Sequence, residues 1–413
     1  MDSSKSQTVE LREQSSPSPP AEDRFPEGGY GWVCVVCLFM IHAHTWGINC
    51  AFGVILSFYL SSNEFPGTSA LVYAAISGLS ISCACFIAPF LTFLAPILPL
   101  RFFILAGATL QAVSMVGASF TTQSWQLFLT QGLGFGFGMG FLYISTVGIP
   151  NQWFKHRRGT ANGIMAAGSG TGGFVYSLVT KQMLDALGFE WTFRLLGIIS
   201  STVNLVAGML LRERFSKDRP KMTSSRLRRP AFLLFLLFGF FSMLGYISLL
   251  FSLASYAEAI GLGARRGSLA SALLNLGQAI GRPLVGVLSD RFSRPKVAAS
   301  MSIFCGLCCI ALWPFALGEV SLYVFSILAG LGAGTVWASA PPLAAELVPL
   351  SEVGWALAVF FVCVAPAGTV SEVIALRLRG AGSVQRPYIA AQMFTGAAYL
   401  AAGASLGLVP LFL

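Results

Sequence analysis

The sequence RERFSKDRPKMTSSRLRR occupies residues 212–229, and residues 230–259, which follow directly, read PAFLLFLLFGFFSMLGYISLLFSLASYAEA. The first stretch carries eight basic residues, whereas Glu258 is the one charged residue of the second. A helix of about 20 apolar residues crosses the hydrocarbon core of a bilayer, so the second stretch predicts a transmembrane helix. Basic residues concentrate in short cytoplasmic loops, so the first stretch predicts such a loop beside it.

The composition extends this interpretation to the whole chain. Apolar residues make up 55% of the 413 residues and charged residues 10%, against roughly a quarter charged in a soluble domain. These proportions exclude disorder, a coiled coil, collagen and a secreted disulfide scaffold. The net charge of +9 lies in loops between apolar runs, so the basic residues predict contact with a lipid bilayer and not with nucleic acid.

Twelve apolar segments are long enough to cross a bilayer. We number them one to twelve; their approximate ranges are 31–59, 69–93, 101–119, 124–149, 160–183, 191–211, 230–257, 268–289, 297–317, 320–345, 353–376 and 388–412. The predicted fold is an all-α polytopic membrane protein with twelve transmembrane helices in two six-helix halves. We expect a disordered cytoplasmic tail at 1–28, an N-terminal bundle at 29–211, a basic linker at 212–229 and a C-terminal bundle at 230–413.

The distribution of Lys and Arg predicts the orientation of the chain. If the N-terminus is cytoplasmic, the inner loops hold fifteen basic residues and the outer loops five. The positive-inside rule therefore places both termini in the cytoplasm. The first 29 residues are too polar for a cleavable signal peptide, and we expect a multi-pass protein of the plasma membrane.

The two halves repeat weakly. Residues 132–136 read GLGFG in segment four, and residues 330–334 read GLGAG in segment ten. Similar halves joined by a cytoplasmic loop are typical of secondary transporters. Close helix packing in lipid is an alternative explanation of the glycines, and both can hold.

A second pattern follows segment eight, where Gly286, Asp290, Arg291 and Arg294 are spaced as G-x-x-x-D-R-x-x-R. This spacing resembles the loop signature of the major facilitator superfamily. A carboxylate there can accept hydrogen bonds from a neighbouring helix terminus and pair with Arg, which predicts a conformational latch. An ordinary basic loop is the alternative. The corresponding stretch of the first half, 88–101, lacks the Asp-Arg pair.

Two further stretches resemble the signatures of monocarboxylate transporters. The first is Glu27, Gly28, Gly29, Tyr30, Gly31 and Trp32; the second is Trp153, Phe154, Lys155, Arg157, Arg158, Gly159, Ala161, Asn162 and Gly163. The resemblance covers about residues 26–413, and the short tails are similar to those of fungal members. It implies a major facilitator fold that works by alternating access.

The resemblance implies that Arg282, before Pro283, binds a substrate carboxylate. The chain departs from the family at two other positions: Gln278 stands where well-studied members have a proton-linked Asp, and Cys50 lies at or near the place of their lysine. The resemblance therefore does not extend to proton-coupled lactate transport. Since no carboxylate lies in the middle of segments one, four or eight, we expect weak proton coupling, or coupling through His42.

Helical spacing gives a candidate substrate site independently of the resemblance. Ser271, Asn275, Gln278 and Arg282 share one face of segment eight, and His42, Trp46, Asn49 and Gly53 share one face of segment one. Polar faces of this kind point at a partner or a wet cavity. The predicted substrate-binding residues are Arg282, Gln278, Asn275, His42, Trp46, Asn49, Tyr143, Tyr246 and Trp337.

Several of these residues have structural alternatives. Arg282 could form an ion pair or extend toward the interface, His42 could be a packed histidine, and the aromatic rings could be core residues. Glu258 and Glu372, near the outer ends of their helices, read as interfacial and therefore as weak candidates for a proton carrier.

The predicted function is secondary active transport of a small organic anion, with protons as a candidate coupling ion. Export of a fungal secondary metabolite and uptake of a vitamin remain open on the same fold, and a non-transporting sensor is less favoured. Enzyme motifs such as a P-loop or G-x-S-x-G are absent. We therefore expect no catalytic residue, no cofactor and no metal site; the spacings Cys34/Cys37 and Cys305/Cys308 fall in apolar runs and read as core.

Overall fold

The computed structural model describes residues 25–62, 64–214, 227–379 and 386–412. Most of the predicted tail at 1–28 and most of the predicted basic linker at 212–229 therefore lie outside the described residues. Helices account for almost all of the rest, and they follow the predicted segments closely.

The helices of the first half begin with segment one, which is made of three pieces. They are Tyr30–Ala43, Trp46–Cys50 and Phe52–Ser62 in segment one; Ala70–Phe86 and Ala88–Leu94 in segment two; Leu100–Ala118 in segment three; Ser124–Leu127, the π-helix Phe128–Gly134, Phe135–Thr146 and Ile149–Trp153 in segment four; and Arg158–Leu210 in segments five and six.

The helices of the second half are mostly longer and less interrupted. They are Pro230–Ala259 in segment seven; Ala264–Arg291 in segment eight; Arg294–Ala311 and the 3-10 turn Trp313–Phe315 in segment nine; Glu319–Ala333 and Thr335–Leu347 in segment ten; the 3-10 turn Leu350–Glu352 and Val353–Arg379 in segment eleven; and Ile389–Leu408 with the 3-10 turn Val409–Leu411 in segment twelve.

Ten spans within the described residues are long and apolar enough to cross a membrane. One of them, Arg158–Leu210, has 53 residues and is broken at Gly188, whose φ of 75° and ψ of 178° are not helical. At 1.5 Å per residue it would reach about 80 Å, far more than one crossing, so it supplies segments five and six. Segment eight is long enough at 28 residues but more polar. The predicted all-α fold with twelve crossings is thus confirmed.

The local structure differs from the sequence prediction at two places. The loop expected between segments five and six is reduced to the break at Gly188. Segment one, expected as one continuous helix, is interrupted at His44 and Thr45, and again at Ala51. Thr45 donates its hydroxyl hydrogen to Ile41 O at 2.6 Å, and the His44 carbonyl accepts from Gln111 Nε2 at 2.7 Å. Neighbouring side chains therefore satisfy backbone groups near the break, as a crossing in lipid requires.

The two repeated glycine runs mark equivalent irregularities in the two halves. The GLGFG run overlaps the end of the π-helix Phe128–Gly134 in segment four, and the GLGAG run ends where segment ten breaks at Gly334. Helical defects of this kind often occur at functional sites. The repeat therefore has a structural counterpart.

The halves meet along segments five and eight and along segments two and eleven. Gly159, Gly163 and Gly170 of segment five face Gly286, the Arg282 carbonyl and the Ala279 backbone of segment eight. A Cβ atom at Gly163 would lie 2.5 Å from the Arg282 carbonyl oxygen, so glycine is what permits this approach. We call this contact the glycine seam. We call the end of the bundle that carries residues 154–158 and 290–296 the basic end.

Candidate functional site

The Arg282 guanidinium lies where the two halves meet, and the residue is 1% exposed. Its Nη1 donates to the Ala166 carbonyl at 2.7 Å and to the Ser169 hydroxyl, both on segment five. Its Nη2 donates to Gln278 Oε1 at 2.5 Å and to the Tyr246 hydroxyl at 3.4 Å. The cation is therefore fixed in orientation by both halves.

All of these partners are neutral. Within the described part of the chain, no acidic side chain lies within ion-pair distance of Arg282, and its Nε has no hydrogen-bond partner. A cation within a membrane span costs at least about 2.5 kcal/mol. The ion pair considered for Arg282 from the sequence is therefore not formed among these residues. The buried position also differs from the alternative in which the side chain extends toward the membrane interface.

Four aromatic side chains from four segments converge beside Arg282. Trp46 contacts Trp337 with ring centroids 4.7 Å apart and Tyr143 at 5.3 Å. Tyr143 lies 6.0 Å and Tyr246 6.3 Å from Trp337. We call Trp46, Tyr143, Tyr246 and Trp337 the aromatic cluster; two of its members come from each half, and all are buried.

Some of the polar residues predicted to bind substrate lie near Arg282, and others lie apart from it. Gln278 links Arg282 to Asn275, because its Nε2 donates to Asn275 Oδ1 at 3.1 Å. His42 contacts Tyr143 at 5.1 Å between ring centroids and interacts electrostatically with Arg282. Asn49, however, donates to the Ser80 hydroxyl of segment two at 2.9 Å and lies against a small cavity inside the first half.

Several buried polar atoms around the cluster have no hydrogen-bond partner. They are His42 Nε2, Trp46 Nε1, Asn275 Nδ2, Arg282 Nε and Ser339 Oγ. Buried polar groups in folded proteins are nearly always bonded. Unsatisfied donors beside an unpaired cation are therefore suited to a ligand that brings acceptor oxygens.

Sequence reasoning missed three contributors to this site. The Ala166 carbonyl and the Ser169 hydroxyl gave no signal, because a serine in a small-residue helix looks like ordinary packing. Gly334 belongs to the glycine repeat, but its role is visible only in three dimensions: a Cβ there would lie 2.6 Å from Arg282 Nη2. Glycine at this position leaves the space that the guanidinium occupies.

The predicted latch residues lie at the basic end, where Asp290 crosses to the first half. Its two carboxylate oxygens accept the backbone N–H groups of Gly159 and Thr160, each at 2.7 Å. These are among the first residues of the helix Arg158–Leu210, so the carboxylate also faces the positive end of the helix dipole. We call this contact the latch.

Arg294 rather than Arg291 completes the latch. Arg294 lies 3.5 Å from Asp290, pairs with Glu346 at 2.6 Å and donates to the Lys155 carbonyl at 3.4 Å. Arg291 is exposed and lies over the Phe292 ring. Gly286 packs against the Gly159 backbone in the glycine seam. Asn151 adds a further contact between halves, to the Pro341 carbonyl at 3.1 Å.

The two stretches that resemble monocarboxylate transporter signatures touch each other. Glu27 accepts the backbone N–H groups of Lys155 and His156 at 2.7 and 2.8 Å, and that of Arg157 at 3.3 Å. Partial burial alone would raise the pKa of the Glu27 carboxyl, but these N–H groups outweigh it and the pKa lies below its usual value. The first signature thus orders the loop that carries the second.

The remaining signature residues pack around this contact. Gly31 lies against the Phe154 ring and Trp153, Trp32 contacts Phe154 at 4.7 Å, and Tyr30 donates to the Leu210 carbonyl at 2.7 Å. Asn162 donates to Asn151 Oδ1 at 3.0 Å, and Arg158 donates to the Phe154 carbonyl at 2.9 Å. Lys155, Gly28 and Gly29 lie in the connecting turns, and Ala161 is buried.

Glu372, expected near the interface, is buried within the bundle. Glu372 is 3% exposed, because segment eleven turns this side chain toward segment seven instead of toward lipid. Glu258 is exposed. In the described residues, no group of three or more His, Cys, Asp or Glu side chains could hold a metal ion.

A family model described as Major Facilitator Superfamily matches residues 32–372. The chain belongs to the major facilitator superfamily. The match includes segments one to ten and most of segment eleven, and with them the aromatic cluster, Arg282 and the latch. It agrees with the twelve-crossing all-α fold of the structure.

Curated relatives extend this similarity across most of the chain. The probable transporter MCH2 of Saccharomyces cerevisiae is 32% identical over 91% of this chain and 81% of its own length. The uncharacterized transporter ESBP6 of the same yeast is 35% identical over 91% of this chain; the chain spans 58% of that relative's length. The agnestins efflux protein AgnL12 of Paecilomyces divaricatus is 26% identical over 92% of this chain and 87% of its own.

These similarities establish the general activity of the protein. The major facilitator family and the names of the relatives indicate a multi-pass membrane transporter for a small molecule, rather than an enzyme. The substrate does not follow from them, because the relatives' names differ in what they report.

Proposed function

We propose that this transporter carries a small organic anion, with Arg282 binding its carboxylate. One observation carries the proposal: the Arg282 guanidinium is buried between the halves, every hydrogen-bond acceptor that it reaches is neutral, and its Nε–H is unused. A bound carboxylate would neutralise the charge and accept that hydrogen. Arginine is suited to this role because its planar fork binds carboxylates at two points.

The aromatic cluster narrows the proposed substrate to a planar acid of the monocarboxylate type. Trp46, Tyr143, Tyr246 and Trp337 come from both halves and are in ring-to-ring contact. Rings stack favourably on flat, apolar groups. A benzoate-like acid would place its carboxylate at Arg282 and its ring between these side chains.

Alternating access is the mechanism that this arrangement supports. The site lies between the halves, and the latch and the glycine seam hold the halves together at the basic end. Release of those contacts would open a path from the site to that end. Transport driven by an ion or substrate gradient, with both termini in the cytoplasm and the protein in the plasma membrane, completes the proposal.

Efflux of a secondary metabolite is the second candidate. It is supported by the name of one relative, the agnestins efflux protein of Paecilomyces divaricatus. The two candidates share the site, since a planar metabolite with an acidic group fits the same residues. They differ in direction, which uptake and release measurements in intact cells distinguish.

The proposal is tested by counterflow of radiolabelled benzoate in proteoliposomes that contain the wild type, Arg282→Lys, Arg282→Gln or the control Arg266→Gln. Arg266 forms a half-exposed ion pair with Glu319, so its loss controls for the general effect of removing an arginine. We expect Lys to weaken the apparent affinity and Gln to abolish counterflow nearly completely, because Lys keeps the charge without the fork.

Size-exclusion profiles and melting temperatures of the same samples establish that the variants are folded. Wild-type affinity for benzoate in folded Arg282→Gln would refute the role of Arg282. Absence of benzoate counterflow in the wild type would refute the benzoate-like substrate, and the same liposomes then serve to test aliphatic acids.

A further inference from the structure

Glu372 is a buried carboxyl group that the proposed substrate site does not use. It lies in the helix Val353–Arg379, seven residues before its end, which is about 10 Å along the helix axis. The residue is 3% exposed, and its Oε2 has no hydrogen-bond partner. An acidic side chain inside a span is costly and usually serves a function.

The groups that face Glu372 come from segments seven and twelve. The Ser252 hydroxyl of segment seven interacts with the Glu372 carboxyl. Tyr388, which precedes the helix of segment twelve, interacts electrostatically with Glu372, Glu258 and Arg379, and its ring packs on Tyr256 at 5.4 Å. From segment two, Gly78 and Ile81 contact Gly368 and Thr369, and none of these four side chains can titrate.

The basic side chains of the described residues do not pair with this group. The Arg379 guanidinium lies over the Tyr388 ring at 5.1 Å, and among the described residues no basic side chain is within ion-pair distance of Glu372. An isolated ionised carboxylate in an apolar environment is far more costly than a neutral carboxylic acid, which needs only ordinary hydrogen bonds. The surroundings therefore suit the neutral form.

Segment seven connects this carboxyl to the candidate substrate site. Tyr246, a member of the aromatic cluster and a partner of Arg282, lies six residues before Ser252 on the same helix, about 9 Å along its axis. Ser252 and Glu372 both belong to the second half, so parting of the halves alone leaves their contact intact. A bend at the end of segment seven that accompanies opening away from the basic end would change this contact and admit water.

We propose that Glu372 is a proton-binding site of this transporter, which holds its proton while segments seven and eleven are packed and releases it when their ends away from the basic end open to water. The step is a simple transfer: the carboxylic acid loses its proton to water and becomes a carboxylate, and the reverse closes the cycle. The site is separate from Arg282 and does not depend on which substrate is carried.

The protonation state is measured first, by infrared spectroscopy of the full chain in lipid vesicles without any substrate. Wild type, Glu372→Gln and the control Glu258→Gln are compared at neutral pH. We expect a carboxylic acid C=O band in the wild type that is lost in Glu372→Gln and kept in Glu258→Gln, because Glu258 is exposed. Loss of a carboxylate band instead would show that Glu372 is ionised and would overturn the proposal.

The linkage between proton and conformation is measured next, by spin-label distances between Lys181 and Ala264 in a cysteine-free chain. Both residues are exposed and lie away from the basic end, one in each half. If opening releases one proton, the open-to-closed ratio of the wild type rises up to about tenfold per pH unit as the pH increases.

The side chain at position 372 cannot ionise in Glu372→Gln, so the open-to-closed ratio of this variant should not change with pH. The ratio of Glu258→Gln should respond to pH as that of the wild type does. An unchanged pH response in Glu372→Gln would refute the linkage. Glu372→Asp, which keeps a carboxyl group in a smaller side chain, should retain a pH response; its loss there, in a folded protein, would count equally against the proposal.

Discussion

Replacing Asp290 with Asn should open the basic end of the transporter without unfolding it. In the structure, the two Asp290 oxygens accept the N–H groups of Gly159 and Thr160 at 2.7 Å each, across the boundary between the halves. Asparagine has the same shape but offers one acceptor oxygen and an NH2 group. One of the two hydrogen bonds therefore loses its charge, and the other becomes a contact between two donors.

The size of the effect follows from these two bonds. A hydrogen bond to a charged group contributes about 1.5–3 kcal/mol, against about 1 kcal/mol for a neutral one. The Asp290 side chain is 12% exposed, so water moderates the loss only in part. A net loss of about 2 kcal/mol in the closed state corresponds to roughly a 30-fold shift toward states open at the basic end.

The shift can be measured by spin-label distances between His156 and Ser351 in a cysteine-free chain. Both residues are exposed at the basic end, one in each half. Asp185→Asn is the matched control, because it changes the same group in an exposed pair with Lys181 within one half. We expect a longer distance to gain population in Asp290→Asn and to stay unchanged in the control. Identical distributions for Asp290→Asn and wild type would show that the latch does not hold this state, and Asp290 would then be an ordinary loop residue.

Two further outcomes are expected. A cysteine introduced at Ser224, outside the described residues, should resist an impermeant maleimide in intact cells, whereas one at Gly67 should react. The reason is that the basic residues around Ser224 predict a cytoplasmic position for it. The opposite labelling pattern would reverse the predicted orientation. Gly334→Ala should weaken benzoate binding at least about tenfold, because its Cβ would lie 2.6 Å from Arg282 Nη2 and displace the fork from its bidentate position. Gly407→Ala, where a Cβ meets nothing within 4 Å, is its control in equilibrium binding measurements, and equal affinities would show that Arg282 adapts.

The fold was predictable from the sequence because crossing a bilayer imposes a strong one-dimensional pattern. Each segment needs about 20 apolar residues, and the loops collect the charges. The breaks at His44 and Thr45 in segment one were not predictable, since neither residue is a helix breaker and the backbone there depends on Gln111 from segment three. The reduction of the loop between segments five and six to Gly188 was equally hidden among residues that favour helices.

The candidate site was predictable in kind and only partly in detail. Arg282 and Gln278 stood out because polar residues on an apolar helix are costly and must face something. Asn49 satisfied the same rule, but its partner is Ser80, which helical spacing within one segment cannot show. The burial of Glu372 was hidden for a related reason: distance from a helix end estimates depth in the membrane, whereas burial depends on which neighbour the helix turns toward.

The close packing of the glycine seam offers a way to hold the two halves apart by substitution. At Gly163 a single added carbon would lie 2.5 Å from the Arg282 carbonyl oxygen, and backbone on both sides leaves no flexible side chain to yield. A larger residue there fits only after segments five and eight have parted. A variant with a larger residue at Gly163 would populate the conformation open at the basic end without a ligand, an antibody or a chemical cross-link. One carbon atom could thus supply a homogeneous sample for imaging the half of the transport cycle in which the basic end is open.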